Sequence, residues 1–268
     1  MATILFLHAH PDDECLISGG TIAKYSAEGH RVVLVTATDG RHGERPVDVA
    51  TPEALLERRR AELGRACEAL GVARHEWLGY VDSGMNGWPQ NNHDGAFIRS
   101  DVDEAAMRLV RIIAEEQEAT DRLVLVTYDW HGNYGHPDHI MVHKVGHRAA
   151  ELAGVAHVYE ATMNRDNMRR MRDQARAAGL IDPEDDWDPD GPADDGNPMG
   201  LLESELTHRI DVTDFVDVKR RAIQSHRSQI TDTGWFAKMP EDAFRMAFGA
   251  EWYRKAGDAG PLRDGWFF

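Results

Sequence analysis

The sequence predicts an α/β protein with a Rossmann-like, mostly parallel sheet that carries helices on both faces. Short apolar runs rich in β-branched residues, such as residues 31–37, are typical of buried strands. Stretches with apolar residues at helical spacing lie between these runs, and such alternation favours right-handed crossovers and a parallel sheet. In sheets of this kind, ligands bind beyond the carboxyl ends of the strands. We therefore expect the functional residues at that edge.

The individual elements follow from local patterns along the chain. The predicted strands are the apolar runs at residues 4–9, 31–37 and 123–128. The predicted helices are residues 19–28, 53–70 and 101–117, which carry apolar residues at helical spacing. Gly29 and Gly71 follow the first two helices and are placed to end them, because glycine readily adopts the left-handed conformation of a helix C-terminus.

Composition bounds the class of protein. The chain has 268 residues, 42% of them apolar, which is enough to bury the core of one catalytic domain over residues 1–268. No apolar run approaches the roughly 20 residues that a membrane-spanning helix needs. The amino terminus lacks the basic segment of a signal peptide. We therefore expect a cytoplasmic protein without a membrane span.

The charge distribution adds two expectations. A formal net charge of -16 opposes binding to nucleic acid, because there is no basic surplus to release counterions. Much of the acidity lies in residues 181–198, whose Pro, Gly and Asp content does not sustain a helix or a strand. We interpret this segment as an acidic surface insertion. Cys15 and Cys67 are too few for a disulfide framework and are interpreted as packing residues.

Two His-rich segments, AHPDDE and DWHGNYGHPDH, each follow a predicted strand. In the first segment, His10 and Asp13 stand three residues apart at a strand-to-helix turn, so both can be directed at one point. The second segment offers His136, His139 and His143 as further ligands. Neutral imidazoles with a carboxylate suit zinc that is held by three protein ligands and keeps a position open for water.

Spacing alone leaves two assignments open. His139, His143 and His147 would line one helical face, so their periodicity does not say which of them binds metal. Asp12 lies between the two ligands of the first segment, and we interpret it as a general base that takes a proton from water. The alternative is that Asp12 or Asp13 caps the helix that follows.

The pair of motifs AHPDDE and YGHPDH, in this order and each after a predicted strand, resembles the LmbE-like, or PIG-L, zinc deacetylases. The resemblance implies that His10, Asp13 and His139 bind one zinc ion per chain, which Fe²⁺ can replace. It also implies that Asp12 is the general base. His136 would, as an imidazolium near the metal, stabilise the oxyanion or protonate the leaving amine.

Further likeness, in ATDGRHGE, RRAEL, DSGM and SHRSQI, points to the branch with the mycothiol-biosynthesis deacetylase and the mycothiol S-conjugate amidase. It implies that Glu44 contacts the substrate and that Arg59 and Asp82 bind sugar or inositol hydroxyls. Tyr134 would be a mobile oxyanion donor. The structural alternatives are that Arg59 pairs with Glu62 or another neighbour on its helix, that Asp82 only shapes the turn before Ser83 and Gly84, and that Tyr134 packs a loop.

These features favour a zinc-dependent amidohydrolase that removes an N-acyl group, with acetyl expected, from a glucosamine-type sugar or related conjugate. The expected partner is a small N-acylated sugar or thiol-sugar conjugate, and homo-oligomerisation stays open. The near alternatives are a mycothiol S-conjugate amidase and a natural-product tailoring deacylase. The remote ones are a phosphoesterase that also uses Asp129 and Asp138, and a non-catalytic metal-stabilised module. The resemblance leaves His143 as a helix-packing residue.

Overall fold

The computed structural model of the chain describes residues 1–120, 122–177, 179, 187–229 and 239–267. An eight-stranded sheet runs through this part of the chain, in the order β3-β2-β1-β4-β5-β7-β6-β8. The strands are β1 Thr3–His8, β2 Arg31–Thr38, β3 Arg74–Tyr80, β4 Leu123–Tyr128, β5 His157–Thr162, β6 His208–Asp211, β7 Ala250–Lys255 and β8 Arg263–Asp264.

The helices connect these strands or flank them. They are α1 Asp13–Ile17, α2 Gly19–Ala27, α3 Pro52–Leu70, α4 Val102–Gln117, α5 Gly132–Gly135, α6 Pro137–Ala153, α7 Arg165–Ala177, α8 Val216–Ser225 and α9 Glu241–Phe248. Local chemistry explains where the longest one begins and ends. The Thr51 hydroxyl accepts a hydrogen bond from the amide of Ala54 at the start of α3, and Gly71 ends it with φ 75°.

Strands β1 to β5 are mutually parallel, and β1 lies between β2 and β4. The chain moves one way across the sheet from β1 to β3 and the other way from β4 to β5. Right-handed crossovers therefore place α2 and α3 on one face and α4 and α6 on the opposite face. Accordingly, α3 packs with α8 while α4 packs with α6. The predicted fold class is confirmed.

The second half of the sheet was not predicted. Strand β7 pairs antiparallel with β5 and β6, and β8 extends that edge. These strands and β3 carry charged or polar residues and are only partly buried, so they lack the apolar runs that identify β1, β2 and β4. The carboxyl-terminal segment closes the core, because the backbone of Phe267 hydrogen-bonds the hydroxyls of Tyr25 and Tyr159.

Part of the predicted acidic insertion, residues 181–186, lies outside the described residues. The described remainder, residues 187–198, contains one isolated bridge and neither a helix nor a strand. Its carboxylates pair with arginines of α7, and Arg172 Nη1 lies 2.9 Å from Asp188 Oδ1.

In the described part of the chain, no helix is both long and apolar enough to cross a membrane.

Candidate metal and catalytic site

The two His-rich motifs meet because β1 and β4 are neighbours in the sheet. Each motif follows the carboxyl end of its strand, so the loops share one crevice. The ring centroid of His10 lies 4.6 Å from that of His136 and 5.3 Å from that of His139. These three imidazoles each place a nitrogen within 4.8 Å of the others.

A carboxylate completes this group of metal-binding atoms. Asp13 Oδ2 lies 3.4 Å from His10 Nδ1 and also 3.4 Å from His139 Nε2. Two imidazole nitrogens and one carboxylate oxygen are the donor set of catalytic zinc sites, in which a further position is open. The donor chemistry of this cluster therefore fits a divalent metal.

Neighbouring acceptors orient both imidazoles for this task. His139 Nδ1 donates a hydrogen bond to the carbonyl of Gly132 at 3.2 Å, which leaves the lone pair on the Nε2 atom that faces Asp13. His10 Nε2 donates to Asp138 Oδ2 at 3.2 Å, so Nδ1 is the nitrogen that would offer its lone pair once a metal replaces the proton there. Such partners are typical of metal-binding histidines. Motif spacing alone did not identify Asp138 as one of them.

The buried carboxylates make the cluster attractive to positive charge. Burial opposes a charge on His10, but Asp82, Asp13 and Asp138 together outweigh it and raise the pKa of His10 well above its usual value. Burial likewise opposes ionisation of Asp13, but His139 and His10 hold its pKa well below the usual value. The Asp13 carboxylate is therefore ionised and can act as a ligand.

Asp12 has an unusual backbone and a buried side chain. Its φ of 124° lies in a region that residues other than glycine rarely adopt. It occupies the N-cap position of α1, but its side chain caps no backbone amide of the described chain. Instead, its Oδ2 lies 3.1 Å from Arg59 Nη2. Burial, which Arg59 only partly offsets, raises the pKa of Asp12 to about 6.

The buried pair of Glu14 and His226 contacts the backbone of Asp12. The amide of Asp12 donates to Glu14 Oε2 at 2.9 Å, and His226 Nε2 donates to Glu14 Oε1 at 2.7 Å. Both side chains of the pair are fully buried. His226 belongs to the motif SHRSQI, so this distant segment helps to position the first metal motif. Sequence spacing does not reveal such a contact.

Arg59 holds the same loop from the side. Its guanidinium donates to the carbonyls of Pro11 and Gly40 as well as to Asp12, and the side chain is buried. The helix contact with Glu62 belongs to Arg58, at 3.3 Å. The structural alternative of an Arg59–Glu62 pair was therefore wrong. In this arrangement Arg59 contacts the loop of the expected base.

His136 is a neutral donor in this site. Its Nδ1 accepts a hydrogen bond from the amide of Asp138 at 3.1 Å, so the proton of the ring lies on Nε2. Burial, with His10 and His139 nearby, lowers the pKa of His136 well below its usual value. These surroundings favour the neutral imidazole, so His136 faces the site as a hydrogen-bond donor and not as the expected imidazolium.

The remaining expected residues surround this centre. The Tyr134 hydroxyl lies 3.4 Å from His139 Nε2. Asp82 is buried and accepts from the amides of Gly84 and His42, at 2.8 and 2.9 Å. The Glu44 side chain is exposed. The Glu44 amide donates to Gln229 Oε1 and its carbonyl accepts from Gln229 Nε2, both at 3.0 Å.

An open cleft of about 450 Å³ adjoins Asp82 and is lined by Arg41, His42, Val81, Pro89, Gln90, Asn92 and His93.

The acidic insertion reaches the edge of the site. The amide of Asp194 donates to the carbonyl of Tyr134 at 2.9 Å, and Asp194 Oδ2 accepts from the amide of Asn86 at 2.8 Å. Asn86 follows the motif DSGM, while Tyr134 lies in the second metal motif. One residue of the insertion thus joins two loops of the site.

His143 lies one helical turn away from this centre. Its Nδ1 donates to the carbonyl of Tyr128 at 3.0 Å, and its ring is partly exposed. The group of nitrogens around Asp13 contains His139 instead. Tertiary structure thus separates two histidines that helical periodicity treats alike.

Comparisons with known proteins agree with this arrangement. The profile of the PIG-L family, described as GlcNAc-PI de-N-acetylase, matches residues 5–150. The chain is 38% identical over 291 residues to the 1D-myo-inositol 2-acetamido-2-deoxy-alpha-D-glucopyranoside deacetylase of Nocardioides sp. The alignment covers 97% of this chain and 94% of that protein. It is 40% identical over 277 residues to the protein of the same name in Acidothermus cellulolyticus. That alignment covers 98% of this chain and 92% of the relative.

A solved structure shares the fold. The N,N'-diacetylchitobiose deacetylase from Pyrococcus horikoshii, complexed with its inhibitor MPG, superposes with a TM-score of 0.57 over 94% of this chain and 83% of that chain. The sequence identity is 23%, so this likeness concerns the fold alone.

Proposed function

The chain belongs to the PIG-L family, and from this premise we propose that it is a metal-dependent deacetylase that removes the N-acetyl group from a glucosamine-type sugar or conjugate. The observation that carries the proposal is the position of Asp13 Oδ2, 3.4 Å from both His10 Nδ1 and His139 Nε2, next to the carboxylate of Asp12. The 1D-myo-inositol-linked sugars named for the relatives are the first substrates to test.

We assign the metal to His10, Asp13 and His139, with one Zn²⁺ per chain as the expected ion. When bound, the ion would supply a Lewis acid that polarises the amide carbonyl and acidifies water. The contact with Asp138 leaves Nδ1 of His10 as the nitrogen for the metal, and the contact with Gly132 leaves Nε2 of His139. Without these contacts the two imidazoles would still be present, but their ring orientation and tautomer would no longer be fixed.

Asp12 is the proposed base. With a pKa of about 6, its carboxylate is mostly ionised at neutral pH and is still basic enough to accept a proton from water. Arg59 contacts this carboxylate and the carbonyl of Pro11. We therefore assign Arg59 the positioning of the base, in addition to any contact with sugar hydroxyls.

Two donors are available for the negative charge that develops on the carbonyl oxygen. His136 carries its proton on Nε2, and the Tyr134 hydroxyl lies at the ligand His139. Donors held in place before reaction stabilise an oxyanion strongly, because they need no reorganisation. The proton that Asp12 takes from water can subsequently pass to the leaving amine, while His136 keeps its Nε2 proton as a hydrogen-bond donor. Glu44 and Asp82 are the proposed contacts for substrate hydroxyls.

The proposal is tested by amine release from a panel of N-acyl glucosamine derivatives, including inositol-linked and cysteinylated ones, with the metal content of the protein measured. We expect metal-dependent release from an N-acetylated member of the panel. Preferred cleavage of a cysteinylated S-conjugate would indicate an amidase instead. Release of phosphate from phosphoesters, without any amine, would contradict the proposal.

A further inference from the structure

A second group of metal-binding side chains lies outside the catalytic site. His143 and His147 stand on adjacent turns of α6, and Glu160 lies on the neighbouring strand β5. Each of the three places a donor atom within 4.8 Å of the other two. Nothing in the proposed deacetylation uses this group, which we call the His143 cluster.

The hydrogen bonds of His143 repeat those of the catalytic ligand His139. In both cases Nδ1 donates to a backbone carbonyl, that of Gly132 for His139 and that of Tyr128 for His143, at 3.2 and 3.0 Å. This contact fixes the tautomer in which Nε2 carries the lone pair that a metal requires. Burial also lowers the pKa of His143, so the imidazole is neutral.

Glu160 supplies a buried carboxylate at the same place. Its Oε1 lies 2.8 Å from His147 Nε2, while its Oε2 accepts from the guanidinium of Arg254. Burial opposes its ionisation, but His147 and Arg254 outweigh burial and lower the pKa of Glu160. The carboxylate is therefore ionised, and one of its two oxygens faces imidazoles only partly covered by protein.

We propose that His143, His147 and Glu160 form a second binding site for a divalent transition metal such as Zn²⁺. Glu160 offers Oε1, His147 offers Nε2, and His143 offers the Nε2 of a ring whose Nδ1 lies 3.7 Å from Glu160 Oε1. The proton on His147 Nε2 moves to Nδ1 of the same ring, so each ligand binds in its neutral or anionic form and no net proton is needed. Water completes the coordination from the exposed side.

The distances and charges agree with this assignment. Ligand atoms on a tetrahedral zinc lie about 3.3 Å apart, given metal–ligand distances near 2.0 to 2.1 Å. His147 Nε2 and Glu160 Oε1, now 2.8 Å apart, need to separate by only about half an ångström. Arg254 stays on the second oxygen and lowers the affinity by repulsion, so the site binds more weakly than the catalytic one.

The site is tested by metal stoichiometry in the full chain. The protein with its catalytic site filled is titrated with Zn²⁺ by calorimetry, and bound metal is counted after equilibrium dialysis. We expect a second equivalent in the wild type and its loss in His147→Gln, whose side chain is exposed enough to be replaced without loss of the fold. His157→Gln, which removes an imidazole outside the cluster, should keep both equivalents.

A spectroscopic readout keeps this test separate from activity. Co²⁺ added to the zinc-filled protein should give visible ligand-field absorption in the wild type and none in His143→Gln. A single equivalent in the wild type would overturn the proposal, as would a second equivalent that persists when both histidines are replaced. Either result leaves the proposed deacetylation intact, because amine release is assayed with one metal per chain.

Discussion

Asp12 shows how single residues prepare the site. Its φ of 124° is strained for a residue with a side chain, and such strain persists only where neighbouring contacts determine the conformation. Those contacts are Glu14 on its amide and Arg59 on its carboxylate, at 2.9 and 3.1 Å. Together they keep a carboxylate with a raised pKa beside the metal-binding atoms.

Replacement of Asp12 by Asn separates binding from chemistry. Asp12→Asn should retain the metal, because the proposed ligands are His10, Asp13 and His139. Its turnover should fall about 10²- to 10⁴-fold, the usual contribution of a general base. Metal content and kcat measured on the same sample check this. The matched variant His10→Gln should lose metal, and near-normal turnover of Asp12→Asn would remove it from the role of base.

His226 is expected to act through Glu14 on the position of Asp12. His226→Leu removes the donor to a buried carboxylate and should lower kcat at least tenfold with little change in KM or metal content. Loss of one member of a buried pair also destabilises the fold, by about 3 to 5 kcal/mol. His226→Gln can still donate to Glu14 and should recover most of kcat. Equal kcat in the two variants would refute the positioning role.

At the scale of elements, the acidic insertion and α7 form one surface unit at the site. Arginines of α7 neutralise the carboxylates of the insertion, as Arg172 does for Asp188. Further along, Asp194 bridges the loops of Asn86 and Tyr134. A segment that is neither helix nor strand is therefore held by ion pairs on one side and shapes the rim of the site on the other.

Substitution of Asp194 should affect substrate binding more than chemistry. Asp194→Ala removes the hydrogen bond to Asn86, and KM should rise about threefold to tenfold, the equivalent of one hydrogen bond. Steady-state kinetics measure this change. Asp190→Ala is the matched control, because Asp190 pairs with Arg169 on α7, away from the site. The same KM in both variants would show that the rim plays no part in binding.

At the scale of the whole molecule, the antiparallel half of the sheet couples stability to pH. His208 on β6 is buried, accepts from Arg263 Nε at 3.1 Å and contacts the Thr207 hydroxyl at 2.9 Å. Burial, together with Arg263, lowers the pKa of His208 to about 4 from a usual value of 6.5. The folded protein therefore keeps this imidazole neutral where the unfolded chain protonates it.

The sign of the pH effect follows from this difference. Between pH 6.5 and about 4 the unfolded chain binds the additional proton, so the free energy of unfolding falls as the pH is lowered, by at most about 1.4 kcal/mol per unit from this group. His208→Gln keeps both hydrogen-bond partners and should show a smaller loss. Denaturant unfolding at pH 7 and pH 5 measures it. An unchanged acid dependence would contradict this role.

The strongest elements of the fold were predictable because their patterns are local. Strands β1, β2 and β4 are buried on both faces and therefore read as apolar runs, and α3 ends at a glycine that adopts positive φ. Strand β7 and the edge strand β3 are only partly buried and carry charges, so no apolar pattern marks them. Their places depend on pairing with distant segments.

By itself, the sequence determined the fold class, the family and the two motifs that supply metal-binding atoms, since all of these follow from local order along the chain. Helical period does not distinguish His139 from His143, and the family resemblance favoured His139. The tertiary structure adds the physical reason, because His139 Nε2 lies beside Asp13 whereas His143 Nδ1 contacts the carbonyl of Tyr128. It also decided the neutral state of His136 and the support of Asp12 by His226. Burial and contacts between distant residues set such properties, and neither is encoded in spacing.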